Sequence, residues 1–282
     1  MNKTIVISSK ANLSFDNGWM LINIEKEYLD DVSTIVINSL QINITSYLIN
    51  EIIKRKINLV FTDECKLPSS ILTRLYDNSF APKRLQSQIS YSKKKKDYVW
   101  MIIVKNKIKM QSMLIKRLFD IEIFNDDITK VVTGDKNNIE AFVARKYFYK
   151  LFGNNFNRRE SNEINAALNY GYSIIASEIS RVIVGYGYST MLGIHHDSST
   201  NFFNLSYDII EPFRPLIDEI VYNNKGKTFD KNYKKELINA LNKEVIYKKK
   251  RYLVINCIET YILDMFRYFE KNEQIGEIEF DN

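Results

Sequence analysis

The apolar residues of this chain change period near residue 75, and that change constrains the fold more than any single motif. Up to that point they come in short runs separated by turn residues. Thr4 to Ser8 is β-branched, Leu13 to Phe15 alternates, and Asp16-Asn17-Gly18 is a hairpin turn leading into Trp19 to Ile24. Asp31 to Ile37 and Ile57 to Thr62 read as further strands. Between them Leu48, Ile52 and Ile53 have the spacing of a short helix over Ser46 to Lys56, capped by Thr45 or Ser46. This part contains no histidine, no glycine-rich phosphate loop and no usefully spaced pair of carboxylates, and Asp63-Glu64 reads as a solvated turn. Dimerisation or docking suits it better than chemistry.

Later runs follow the helical period. Val99, Ile102, Ile103, Met113 and Leu114 form the stripe of one helix. Ile139, Val143, Tyr147 and Leu151 form the next, with Gly153 as its C-terminal cap. Ser161 to Val184 reads as a long helix with Ile164, Leu168, Gly171, Ile175, Ile179 and Val182 on one face and Ser161 or Asn162 as cap. Pro212 and Pro215 call for a kink or restart just after Glu211. Glu244 to Leu253 reads as a small hairpin or loop, Val254 to Phe269 as a final amphipathic helix, and 271–282 as an exposed acidic tail. With nine Gly and four Pro in 282 residues, long loops have little to be built from. The expected class is α+β: a small β-rich domain over 1–74, a basic connector over 75–97, and a larger all-helical domain over 98–282. No repeat of solenoid period is present.

A formal charge of +6 suits a polyanionic partner without requiring one. The lysine run Lys93, Lys94, Lys95 and Lys96 is followed by Lys105, Lys107, Lys109, Lys116 and Arg117, and a second run covers Lys248, Lys249, Lys250 and Arg251. Runs of like charge are commonly solvated helix ends or loops, so nucleic-acid contact and simple solvation both remain open here. Cys65 and Cys257 are too few and too far apart for a disulfide framework or a thiolate metal site, which points to a reducing compartment. No apolar run reaches the roughly 20 residues of a membrane span, and the start is strand-like, unlike a signal peptide. A prokaryotic cytoplasmic protein is expected.

The stretch Gly193 to Asp218 holds the chain's only two histidines, His195 and His196, and then Asp208 and Glu211 three residues apart. One histidine with two or three carboxylates is a permissible oxygen-and-nitrogen site for Mg²⁺ or Mn²⁺. Each residue also has a plainer reading. Neighbours on a helix point about 100° apart, so at most one histidine faces a given site, and Glu211 can simply complement a helix dipole. Glu140, three residues after Asn137, fits the N3 position of a capping box. Asn165, Tyr170 and Tyr172 can line a cleft or be core groups with satisfied polar atoms. No Ser-His-Asp or Cys-His arrangement is evident.

Four strings occur in a telling order. They are Glu140-Ala-Phe-Val-Ala-Arg145-Lys-Tyr-Phe-x-x-Leu-Phe-Gly153, then Asn165-Ala-Ala-Leu-Asn-Tyr170-Gly-Tyr172, then Leu192-Gly-Ile-His-His196, then Asp208-Ile-Ile-Glu211-Pro-Phe-Arg-Pro-Leu-Ile-Asp218. Together they resemble the CRISPR-associated integrase, the larger subunit of the spacer-acquisition complex, most of all its type II-A form. The resemblance is close over roughly 135–220, while the first domain matches in style and the Lys93 to Lys96 run has no strict counterpart. It implies that Glu140, His196 and Glu211 are catalytic ligands of Mg²⁺ or Mn²⁺, with His195 only a neighbour. Asp208, Asn165 and Tyr172 are then candidates for supporting those ligands. The implied reaction joins the 3′-hydroxyl ends of a double-stranded DNA fragment to CRISPR leader-repeat DNA by transesterification. The implied partners are a second copy of the chain and a small ferredoxin-like Cas subunit. Phosphate contacts would come from Arg145, Arg214, Lys93 to Lys96 and Lys248 to Arg251. A general metal-dependent nuclease and a non-catalytic nucleic-acid-binding protein are the rival readings.

Overall fold

The computed structural model describes residues 3–64, 68–72 and 80–281. Cys65 and the expected junction between the first domain and the connector at 74–75 lie outside these residues. The chain divides into two compact units, Met1–Asp77 and Asn78–Asn282.

Among the described residues the first unit holds two four-stranded sheets, one α-helix and a short 3₁₀ turn over Leu29–Asp31. Strands β1 (Lys3–Ile7), β5 (Val32–Ile37) and β7 (Asn58–Thr62) pair in parallel, and β8 (Pro68–Leu72) adds antiparallel to β7. In the second sheet β2 (Ala11–Asp16), β3 (Trp19–Ile22) and β4 (Glu25–Tyr28) form a meander, with β6 (Ile42–Ile44) parallel to β2. Asn17 (φ 45°) and Gly18 (φ 90°) turn the β2–β3 hairpin, because its twist needs positive φ at both positions. Helix α1 (Ser46–Lys54) starts where Thr45 accepts from the Leu48 amide. Its Leu48 and Ile52 join Ile5, Leu13, Ile35 and Leu59 in one core.

The second unit is mostly helical and is built around α3 (Lys93–Phe119), 27 residues long and capped by the Ser92 hydroxyl. Helix α2 (Ala81–Ile89) precedes it. After α3 come α4 (Asn125–Lys130), α5 (Ile139–Phe152), α6 (Glu163–Gly185), α7 (Asn204–Ile209), α8 (Arg214–Asn223), α9 (Lys231–Ile238) and α10 (Val254–Lys271). The helix does restart after Glu211: a 3₁₀ turn over Glu211–Phe213 separates α7 from α8, with a proline at the start of each new segment. Where α6 crosses α8, a Cβ on Gly171 would lie 2.5 Å from Ile217 Cγ2, so glycine sets the close approach.

The hairpin expected over Glu244 to Leu253 forms as β9 (Glu244–Tyr247) and β10 (Lys250–Leu253), and β11 (Ile278–Phe280) joins it in a small antiparallel sheet within the mostly helical second unit. Two expectations change. The acidic tail is therefore not free: Ile278 and Phe280 are buried, and Asn106 of α3 accepts from the Ile278 amide at 3.2 Å. The expected connector contains α2 and the first turn of α3, so the Lys93 to Lys96 run belongs to a helix that enters the core. Among the described residues no helix is long and apolar enough to cross a membrane.

Candidate active site

The site assembles on one polar position of α3. Trp100, Ile103, Lys107, Met110 and Leu114 recur at helical spacing and are all buried, so Lys107 stands where the pattern calls for an apolar residue. Its side chain is only 8% exposed. A buried ammonium requires anionic partners, and it has two: Glu140 from the first turn of α5, and Glu211, whose Oε2 lies 2.5 Å away.

Glu140 reaches Lys107 because its carboxylate is not used for capping. The residue before α5 is Asn138, in the left-handed region at φ 52° and without a side-chain cap bond. Asp135 does that work, its carboxylate accepting from the Ile139 and Glu140 amides at 3.0 Å each. The capping-box reading of Glu140 is thereby replaced by a cap from Asp135.

Glu211 is buried and paired on both sides, with Arg214 Nε 2.9 Å from Oε1 and Lys107 beside Oε2. The Oε2 contact is one of charge and lacks a well-aligned hydrogen bond. Burial pushes the Glu211 pKa up, but Arg214 and Lys107 outweigh it and hold the carboxyl at about 2. Burial pushes Lys107 down, and the charges of Glu211 and Glu140 more than reverse that.

Behind Glu211 the Arg214 guanidinium lies 4.4 Å from the Tyr172 ring centroid. Tyr172 donates to Asp218 Oδ1, and Tyr147 donates to Oδ2 at 2.8 Å. Burial raises the Asp218 carboxyl to about 6 despite these bonds. Tyr172 is thus two contacts from Glu211. Asn165 lies one step further out: Arg158 donates to its Oδ1 and places its guanidinium 5.6 Å from the Tyr172 ring centroid, while the Asn165 amide donates to the Asn157 and Glu160 carbonyls and ties down the loop before α6.

The two histidines lie in the loop between α6 and α7 and take different places. The His195 ring stacks on Trp100 with centroids 4.2 Å apart and planes 3° apart. His196 Nδ1 lies 2.6 Å from Asp208 Oδ1. That fully buried carboxylate also accepts from the backbone amides of Ile194, His195 and His196, at 2.6, 3.0 and 3.1 Å. A carboxylate on Nδ1 leaves Nε2 as the nitrogen with a free lone pair in the neutral ring. The bond to Asp208 raises the His196 pKa, and the negative charge of Glu211 adds to the effect. Gly193 allows the loop to fold this tightly, since a Cβ there would meet the His196 carbonyl at 2.1 Å and Asp208 Oδ2 at 3.0 Å. Lys96 Nζ donates to the Gly193 carbonyl at 3.1 Å, and Gln88 of α2 donates to the Ser189 and Leu192 carbonyls.

Glu140, Glu211 and Lys107 are therefore in contact, with His196 close enough for Glu211 to act on its charge. Among the described residues no three of His, Cys, Asp and Glu stand close enough to share an ion. The residue that sequence reasoning misplaced is Lys107, grouped there with surface lysines. Its phase in the Trp100–Leu114 stripe was the available signal.

The basic residues separate into two groups. Lys95 donates to the Phe269 carbonyl, Lys96 to Gly193, Lys248 pairs with Asp264, Arg251 with Asp281, and Arg214 with Glu211. Lys109, Lys116 and Arg117 likewise pair with Glu277 and Glu279, Glu122, and Glu219. Arg145, Lys94, Lys249 and Lys250 are exposed, as is Lys93 despite its pair with Asp97.

Comparison with known proteins gives the family and the fold. Residues 4–250 match the family described as CRISPR associated protein Cas1. A CRISPR-associated endonuclease Cas1 of Neisseria meningitidis serogroup C (strain 8013) is 29% identical over 277 residues, covering 92% of this chain and 90% of the relative. A casposase solved bound to its integration product superposes with TM-score 0.79 at 20% identity, over 96% of this chain and 92% of the casposase. A chain of a solved Cas6-RT-Cas1–Cas2 complex superposes with TM-score 0.70 at 17% identity, over 96% of this chain and 35% of its own. With a family match running from the first strand to the β9–β10 hairpin, the chain belongs to the CRISPR-associated Cas1 family.

Proposed function

We propose that this chain is a divalent-metal-dependent DNA integrase that joins the 3′-hydroxyl ends of a double-stranded DNA fragment to CRISPR leader-repeat DNA. Glu140, His196 and Glu211 are its Mg²⁺ or Mn²⁺ ligands; as the Lys107 ammonium stands between the two carboxylates, side-chain movement brings the three onto one ion. The observation that carries the reading is the convergence of Glu140 and Glu211, from separate helices, on one buried positive charge. Two carboxylates and an imidazole with Nε2 available are a hard donor set suited to these ions. Glu211 Oε2 is held by the Lys107 ammonium at 2.5 Å, a cation in the place where a hard divalent ion would bind a carboxylate oxygen.

When bound, such an ion lowers the pKa of a coordinated hydroxyl and neutralises charge on the transferring phosphoryl group. The residues supply the rest. Asp208 fixes the tautomer and angle of His196 and holds the backbone of its loop. Arg214 and Tyr172 hold Glu211 in one orientation. Arg145, Lys93, Lys94, Lys249 and Lys250 provide exposed charge for the phosphate backbone. The chain works as a homodimer with a small ferredoxin-like Cas subunit; the presence of Cas2 beside Cas1 in a solved complex of similar fold supports a second Cas subunit. Its dimer contact lies in the strand-rich unit.

Glu140→Gln, Glu211→Gln and His196→Ala are expected each to abolish Mn²⁺-dependent joining of a fragment with free 3′-hydroxyls, with circular dichroism and DNA affinity near wild type. Joining that persists in all three would refute the ligand assignment. The endonuclease name of the Neisseria relative supports a second reading, hydrolysis with water as the nucleophile. Blocking the fragment's 3′ ends separates the two, because strand transfer stops and hydrolysis continues. A purely structural role for the three residues predicts no metal-dependent product.

A further inference from the structure

Lys107 is an unusual residue to find between two candidate metal ligands. It belongs to the core helix α3, its side chain is 8% exposed, and its ammonium contacts both Glu140 and Glu211. Lys107, Arg214, Glu140 and Glu211 sum to zero formal charge, and the Asp208 carboxylate that holds His196 adds one negative charge. A divalent ion added to this group would leave it positive, in a place where the burial of Lys107 and Glu211 magnifies repulsion. It would also compete with the ammonium for Glu211 Oε2, which is only 2.5 Å from Nζ. The lysine and the ion are alternatives for the same oxygens.

We infer that Lys107 is a built-in counter-cation of the metal site, holding Glu140 and Glu211 together until a divalent ion displaces its ammonium. The inference rests on the metal-ligand reading above. Without a cation between them the two carboxylates would repel, and Glu211 would be a buried charge compensated only by Arg214. Lys107 removes that penalty and keeps the ligands gathered, at the expense of affinity for the ion. The lysine stem is suited to the exchange: four carbons long and flexible, it can withdraw its charge along the helix surface, which a guanidinium locked in a fork cannot do as readily.

The test is Mn²⁺ binding and thermal melting of the full chain without DNA, in wild type, Lys107→Met and Lys107→Gln. Methionine keeps the length and removes the charge, and glutamine keeps a donor in case the first variant folds poorly. Both are expected to bind Mn²⁺ at least roughly tenfold more tightly than wild type, the effect of removing a competing charge worth about 1.4 kcal/mol. In chelator both are expected to melt below wild type, and Mn²⁺ is expected to raise their melting temperature by more than it raises that of wild type. Equal or weaker Mn²⁺ affinity in folded variants would overturn the inference. Glu140→Gln and Glu211→Gln are measured alongside. If they lose Mn²⁺ binding while the Lys107 variants match wild type, the ligand reading stands and the lysine inference fails. If they bind Mn²⁺ as wild type does, both fail.

Discussion

His196 and Asp208 form the most sharply defined pair in the site, with four donors on one buried carboxylate. Since the folded-state pKa of His196 is raised, its protonated form contributes stability below the ordinary value of about 6.5, and that contribution is lost as pH rises through the raised value. In the protein without added metal, nuclear magnetic resonance should show His196 titrating above about 6.5. Asp208→Asn should lower that value, and an unchanged titration would remove Asp208 as the cause. The histidine doublet and its acidic neighbours were legible from residue types alone. Which ring meets Asp208 was not, because that depends on how a glycine-hinged loop folds over the carboxylate. Glu140 shows the same limit: its spacing from Asn137 suggested a cap, and only the placement of Asp135 freed it for Lys107.

At the scale of elements, the site depends on how closely helices pack. Gly171 lets α6 approach α8, and that contact helps to seat Tyr172 against Arg214. Gly171→Ala should destabilise the second unit by roughly 1–3 kcal/mol through overpacking, measured by urea denaturation. Combining it with Ile217→Ala should give less loss than the two single changes added together, since the clashing side chain is gone. Strict additivity would mean the crossing is looser than described. Helix periods, the caps to within two neighbouring residues (Ser161 or Asn162, Thr45 or Ser46) and the restart at Pro212 and Pro215 were readable because they are local, and the structure selects Asn162 and Thr45. The tail strand β11 was not, because three residues pair with β9 only after the chain has passed through α10. The link from Asn165 through Arg158 to Tyr172 was not readable for a similar reason, since it is set by a loop whose path no periodicity records.

For the whole molecule, net charge is a poor guide to which cations meet a polyanion. Much of the basic density on α3 is spent on internal carboxylates, leaving Arg145, Lys94, Lys249 and Lys250 as the plainest exposed candidates. DNA affinity should fall linearly in log–log form with salt, and Arg145→Ala or Lys94→Ala should each reduce the slope by about 1 if that residue neutralises a phosphate. A slope unchanged in both would move the DNA path away from this group. By itself the sequence determined the α+β division, the caps and turns, the family strings, and the short set of residues from which a site is built. Each of these is encoded by neighbours within a few turns of chain or by residue type. Tertiary structure alone decided that Glu140 and Glu211 meet, that Asp208 holds His196, and that Lys107 belongs to the site rather than to the surface. Those facts depend on burial, and burial turns one lysine on a core helix from a solvated charge into a partner that two carboxylates must share.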